Sequence, residues 1–199
     1  MKINQPQKLL LASSSPRRKE LLEKAGIEFT TFPVKVSEFL DKNLNLNEAV
    51  KNIAREKAMA AVDLANSLNL KDVLILSSDT VVILDGQVLG KPDHANQAYE
   101  FLRRLSSQRH EVKTSVCFID TKTQVEVCEI ESSFVTFRDL SDEEIWSYIA
   151  TGQPMDKAGA YGIQEQGGTF IVKLEGELDN VMGLPVKRVL RMMQEHKWI

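Results

Sequence analysis

Asp79 is embedded in the apolar run Val73-Leu74-Ile75-Leu76-Ser77-Ser78-Asp79-Thr80-Val81-Val82-Ile83-Leu84. A carboxylate in such a run must be paired, protonated, bound to a metal or placed on a kink open to water. An acid beside a core strand is where general bases and metal ligands are built. That reading is favoured over the plainer one, a turn between two short strands with an Asx-type bond at Asp79. Lys57 breaks a pattern in the same way. It falls within the helical stripe Val50, Ile53, Ala54, Ala58, Ala61, Ala65 and Leu68, where an ammonium is costly unless it snorkels or faces an anion. On helical phase alone, methionine at this position should pack as well or better and leave stability equal or higher.

Three further segments carry groups that the fold does not need. Ser13-Ser14-Ser15-Pro16-Arg17-Arg18 joins a short apolar strand to a helix. Its hydroxyl residues, Ser13 and Ser15 among them, let a phosphate approach free N–H groups at a helix N-terminus. Arg17 and Arg18 sit at the wrong end of that helix for cations, which a bound anion would repair; an ordinary N-cap with solvated arginines is the alternative. Gly90-Lys91-Pro92 is a tight turn that presents a lysine. Asp156-Lys157-Ala158-Gly159-Ala160-Tyr161-Gly162-Ile163-Gln164 combines glycines, an aromatic ring and an amide. Its backbone could approach a flat ligand while Gln164 reads the ligand's edge. Cations for phosphates, carboxylates for a metal and a polar loop for a base are what a polyphosphate ester with Mg²⁺ requires.

The elements that must position these groups follow from the pattern. Leu9–Ala12 reads as a buried strand, and Ser15 and Pro16 open a helix that Gly26 ends. Ile27–Val36 reads as extended. Asn47 caps a long helix reaching Leu68. Val73–Leu76 and Val81–Leu84 read as two strands interrupted by Ser77–Thr80, and Asp85-Gly86 as a hairpin turn into Gln87–Leu89. Asp93 caps the next helix. Val112–Ile119 and Val125–Phe137 are longer strands, and Ser141-Asp142-Glu143-Glu144 is a capping box. Thr169–Leu174 reads as a strand, and Pro185 opens a terminal helix to His196. The fold class is α/β with a mixed sheet, in one domain over 1–199.

Composition narrows the function. The 199 residues carry 25 Lys+Arg and 28 Asp+Glu, a net charge of −3, which argues against a nucleic-acid binder. Two cysteines, Cys117 and Cys128, cannot build a disulfide framework, and their spacing is no zinc signature. With three histidines, a metal is expected to be a hard ion held by oxygen. No export signal or membrane anchor is expected, so the expected compartment is the cytoplasm.

Ala12 to Arg18, Arg55-Glu56-Lys57-Ala58, Ser78-Asp79-Thr80, Gly90-Lys91-Pro92, Asp156 to Gln164 and Asn180-Val181-Met182-Gly183-Leu184-Pro185 together resemble the Maf family, in order from about Leu9 to Leu190. The resemblance implies a nucleoside triphosphate pyrophosphatase that uses a divalent metal cation, Mg²⁺ or Mn²⁺, and yields the nucleoside monophosphate and pyrophosphate. It implies an elongated twisted mixed sheet flanked by helices, in two lobes around a deep cleft. The family's proton acceptor falls on Asp79, and positions linked to substrate choice fall on Arg17, Thr80 and Gln164. A further acid falls on Glu38 after Pro33, which with Asp79 would hold the metal, and the family's lysines fall on Lys57 and Lys91. A homodimer is what the resemblance alone suggests.

The loop Asp156 to Gln164 resembles the branch that prefers dTTP and UTP over the branch acting on 7-methyl-GTP. Two departures from the family pattern stand out: Ser77-Ser78 replaces Gly-Ala before the Asp-Thr pair, and Glu165-Gln166-Gly167 follows Gln164. Two other readings stay open at this point. One is a phosphatase working stepwise from the γ end; the other is a nucleotide-binding regulator of cell division or septum formation.

Overall fold

A computed structural model describes residues 5–199; the first four residues of the expected 1–199 domain lie outside it. Seven strands form one mixed sheet in the order β2-β1-β3-β5-β6-β7, with β4 paired to β3. The strands are β1 (Lys8–Leu11), β2 (Thr30–Thr31), β3 (Val73–Leu84), β4 (Gln87–Leu89), β5 (Arg109–Asp120), β6 (Val125–Phe137) and β7 (Ile171–Glu175). The helices are α1 (Pro16–Lys24), α2 (Leu46–Ser67), α3 (Ala95–Leu105), α4 (Asp142–Ala150), α5 (Leu178–Met182) and α6 (Val186–Glu195). The chain divides into two compact units. No described helix is long and apolar enough to cross a membrane.

The first unit holds residues up to Asp79, 114–131 and 183 onward. β1 pairs in parallel with both β2 and β3, with Leu11 opposite Leu76. The chain runs from β1 through α1 outward to β2, then crosses back through α2 to β3 on the other side of β1, so β1 lies between two parallel neighbours. Side chains alternate along β3, so Val73, Ile75, Ser77 and Asp79 share one face. On that face Val73 and Ile75 meet the alanines of α2 (Ala54, Ala58, Ala61 and Ala65) together with Cys117 and Ile119 of β5. Cys117 and Cys128 are joined by a disulfide between the neighbouring strands β5 and β6. Phe118 points to the opposite face, where its ring meets Trp198, just beyond α6.

The second unit, residues 80–113 and 132–182, packs α3 and α4 on Val82, Leu84, Val112, Val135 and Phe137, with Tyr148, Tyr161 and Phe170 in the same core. Asp85 and Gly86 both adopt positive φ (50° and 74°), as a two-residue hairpin turn demands. The capping box at Ser141 and Glu144 is formed.

Four local expectations are corrected. β3 is continuous over 12 residues, because the polar groups of Ser77–Asp79 find partners without leaving the strand. α2 is capped by Asn45, whose Oδ1 accepts from Glu48 N at 3.0 Å, so the helix begins before Asn47. The cap of α3 is His94, whose Nδ1 accepts from Gln97 N at 3.2 Å, while Asp93 N donates to Gln97 Oε1. Only Thr30 and Thr31 of the expected strand Ile27–Val36 join the sheet.

His110 of β5 is buried in the second core, with Nε2 at 2.8 Å from Tyr161 Oη and its ring edge-on to Phe137. Burial pushes its pKa down to about 4 against a smaller opposing hydrogen bond with the Gln108 backbone. A histidine held neutral in the fold contributes stability that is fully present above its unfolded pKa of about 6.5 and is lost as pH falls towards 4. Wild type should therefore lose roughly 2–3 kcal/mol more than His110→Gln between pH 7 and 4.5, as read by guanidinium denaturation. Equal losses would show that His110 titrates normally.

Candidate active site

Because β1 stops at Leu11, opposite Leu76, Ser77–Asp79 of β3 run on beside the loop that leads into α1. Ala12 N donates to Leu76 O at 2.8 Å, which holds that loop against the strand. Within the loop, Ser13 Oγ accepts from Ser15 N and from Arg18 Nη1, both at 3.2 Å. Ser15 caps α1 by accepting from Arg18 N.

Arg18 is turned inward. Its Nε donates to Gly183 O at 2.8 Å. Burial lowers its pKa from the ordinary arginine range, while the charges of Asp79 and Glu38 pull it back up and Arg17 adds to the lowering. The arginine at the positive end of the helix dipole is thus compensated in part by carboxylates of the protein itself.

The two serines that depart from the family pattern have structural partners. Ser77 Oγ donates to Ala54 O of α2 at 2.6 Å, and Ser78 Oγ donates to Gly183 O at 2.9 Å. Gly183 O therefore receives both Arg18 and Ser78, and the residue sits at φ 108°, a conformation that favours glycine. Ser115 of β5 adds a second link to α2, donating to Val50 O at 3.0 Å. The alanine stripe lets the helix lie close enough to the sheet for these short hydroxyls to reach its carbonyls.

These bonds set the rotation of α2, and that rotation aims Lys57 at the face of β3 that carries Asp79. Lys57 Nζ donates to Asp79 Oδ1 at 2.6 Å and to Glu38 Oε1 at 2.7 Å. The Lys57 and Asp79 side chains are each 9% exposed, whereas Glu38 is 41% exposed, on an irregular segment before α2. The cluster thus has a buried end and a wet end. Two carboxylates converging on one cationic atom offer hard, anionic oxygens, a donor set that suits Mg²⁺ or Mn²⁺. Cys117, Glu126 and Cys128 form the one described group of three metal-ligating side chains, but its sulfurs are bonded to each other.

The first unit therefore gathers Ser13, Ser15, Arg18, Glu38, Lys57 and Asp79, with Arg17 half-buried in the first turn of α1. Thr80 follows Asp79 with its side chain on the opposite face of β3. In the second unit, Lys91 is exposed in the turn after β4. Gly90 O in that turn accepts from Gly159 N at 3.0 Å, which joins it to the loop ending in the exposed Gln164. Gly159 has φ +68°, and a Cβ there would lie 2.9 Å from the Val82 methyls. Ser115 and Gly183 escaped the residue-level reading. Ser115 resembles any strand serine, and Gly183 showed itself only as part of the Asn180–Pro185 segment.

The family model described as Maf-like protein matches residues 8–196. The chain belongs to the Maf family. A relative named dTTP/UTP pyrophosphatase, from Bdellovibrio bacteriovorus, is 50% identical over 187 residues, covering 94% of this chain and 97% of its own. One of the same name from Caldicellulosiruptor saccharolyticus is 42% identical, covering 95% and 94%. A nucleoside triphosphate pyrophosphatase from Haemophilus ducreyi is 44% identical, covering 95% of each chain.

In this Maf chain the expectation for Lys57→Met reverses. Removing the ammonium leaves the buried Asp79 carboxylate without its partner at 2.6 Å, and breaking a buried pair from one side is strongly destabilising. Lys57→Met should lower unfolding free energy by about 3 kcal/mol, measured by chemical denaturation at neutral pH. Unchanged or higher stability would show that the pair contributes nothing.

Proposed function

We propose that this Maf-family chain hydrolyses dTTP and UTP between the α and β phosphates, releasing the nucleoside monophosphate and pyrophosphate in the cytoplasm. The observation that carries the reading is the ammonium of Lys57 set between Asp79 and Glu38. It fixes the orientation of the buried Asp79 carboxylate through a short, charge-assisted hydrogen bond. An ionised, oriented carboxylate can take a proton from water as the water oxygen attacks the α phosphorus. The names of the relatives favour this chemistry over a binding-only regulator, which has no use for a poised buried carboxylate.

Arg17, Arg18, Lys57 and Lys91 supply positive charge for the triphosphate, and Ser13 and Ser15 line the turn into α1. Glu38 and Asp79 would hold Mg²⁺ or Mn²⁺, which when bound neutralises phosphate charge and favours departure of pyrophosphate. Gln164 offers a donor and an acceptor to a uracil or thymine edge, a selection that phosphate contacts common to all nucleotides cannot make.

Turnover of dTTP, UTP, CTP, ATP and GTP, scored for pyrophosphate with each metal, tests the reading. Fastest release from dTTP and UTP is expected; inorganic phosphate as the first product would refute the pyrophosphatase assignment. Asp79→Asn should reduce turnover by ~10²–10⁴-fold, and activity within a few-fold of wild type would remove Asp79 from the role of base. Gln164→Leu should cost dTTP and UTP ~1–3 kcal/mol of transition-state binding, with much less effect on ATP and GTP. An equal loss across all five nucleotides would mean that Gln164 does not read the base.

A further inference from the structure

A second buried lysine lies in the loop that carries Gln164. The Lys157 side chain is 7% exposed, and its Nζ forms an ion pair with Glu165 Oε2 at 3.0 Å. The same ammonium donates to Gln153 O at 2.6 Å and to Asp156 Oδ1 at 2.7 Å. One group thus binds the chain at the start of the loop, at Gln153 and Asp156, and just past Gln164, at Glu165. The stem of Lys157 crosses Gly162 so closely that a Cβ there would lie 2.7 Å from Lys157 Cε. The Gly162 N–H donates to Tyr148 Oη at 3.2 Å. Gly167 closes against its backbone; a Cβ on Gly167 would lie 3.0 Å from Gly162 O. Gly162 is thus held by both the Lys157 stem and the Tyr148 hydroxyl, and exposed Gln164 follows two residues on.

We propose that Lys157 is the positioning residue that fixes Gln164 for base selection, an inference resting on the reading of Gln164 given above. A long polar side chain on a slack loop loses binding free energy to its own ordering when a ligand arrives. A peg that joins both ends of the loop removes that loss in advance. A buried ammonium is an expensive way to hold a surface loop if holding it is the only purpose, since apolar packing achieves the same without desolvating a charge. The hydrogen bonds and ion pair of Lys157 lie next to Gln164 in sequence on one side and close the loop on the other. Loss of the peg should therefore act on selection of the base.

The test is steady-state kinetics on dTTP, UTP, CTP, ATP and GTP for wild type, Lys157→Met, Gln164→Leu and the double variant. Lys157→Met is expected to lower kcat/KM for dTTP and UTP about tenfold, mainly through KM, and for ATP and GTP less than about threefold. In the double variant the two losses should not multiply, because the peg acts only through the amide. An equal fall for all five nucleotides, or losses that multiply, would overturn the proposal and leave Lys157 a structural residue. Should Lys157→Met fail to fold, Glu165→Gln carries the same test. It removes the carboxylate beyond Gln164 while keeping the lysine, and the same two patterns decide. A wild-type enzyme with no pyrimidine preference would refute the functional reading itself, and that result is seen before any substitution is made.

Discussion

One ammonium group, Lys57 Nζ, holds two carboxylates from different parts of the chain at 2.6 and 2.7 Å. Lys57 and Asp79 are both buried, and either charge left there without its partner would destabilise the fold. The pair is therefore a condition for the first unit. The rotation of α2 that delivers Lys57 is set by hydroxyls from Ser77 and Ser115 bonded to helix carbonyls. The alternation of β3 puts Ser77 and Asp79 on the face that meets α2. The end of β1 at Leu11 leaves Ser77–Asp79 beside the turn into α1, whose Arg18 feels the charge of Asp79 and Glu38.

Much of this was legible in the amino-acid sequence, for a physical reason. Lys57 and Asp79 each violated the pattern of their element, and a buried charge needs an opposite one. What the pattern did not show was that the two violations answer each other. Helical phase says where Lys57 points but not what it meets, and so the same phase argument favoured methionine there. Asparagine is a good N-cap by type, so Asn47 fits the role in sequence; the bond from Glu48 N shows that Asn45 fills it. In sequence, the polar run Ser77–Thr80, with an aspartate that strands disfavour, suggests a break in β3. Tertiary partners overrode that preference, since Ala54 O, Gly183 O and Lys57 Nζ satisfy all three side chains.

The second unit repeats the device with a different consequence. Lys57 and Lys157 are the two buried lysines among the described residues, and each is enclosed by acceptors from separate stretches of chain. In the first unit the lysine orders two carboxylates, one buried and one exposed. In the second it orders a loop with no buried acid of its own, since Asp156 and Glu165 reach it from more exposed positions. A lysine ammonium donates to several acceptors at once around a flexible stem, which suits both tasks.

A double-mutant cycle on stability, with Lys57→Met, Asp79→Asn and the combined variant, tests the central interaction most directly. If the buried pair is what the first unit depends on, each single change should destabilise, and the combined variant should be more stable than the sum predicts by roughly 1.5 kcal/mol or more. Additivity within about 0.5 kcal/mol would mean that Lys57 and Asp79 do not sustain each other, and would contradict the account.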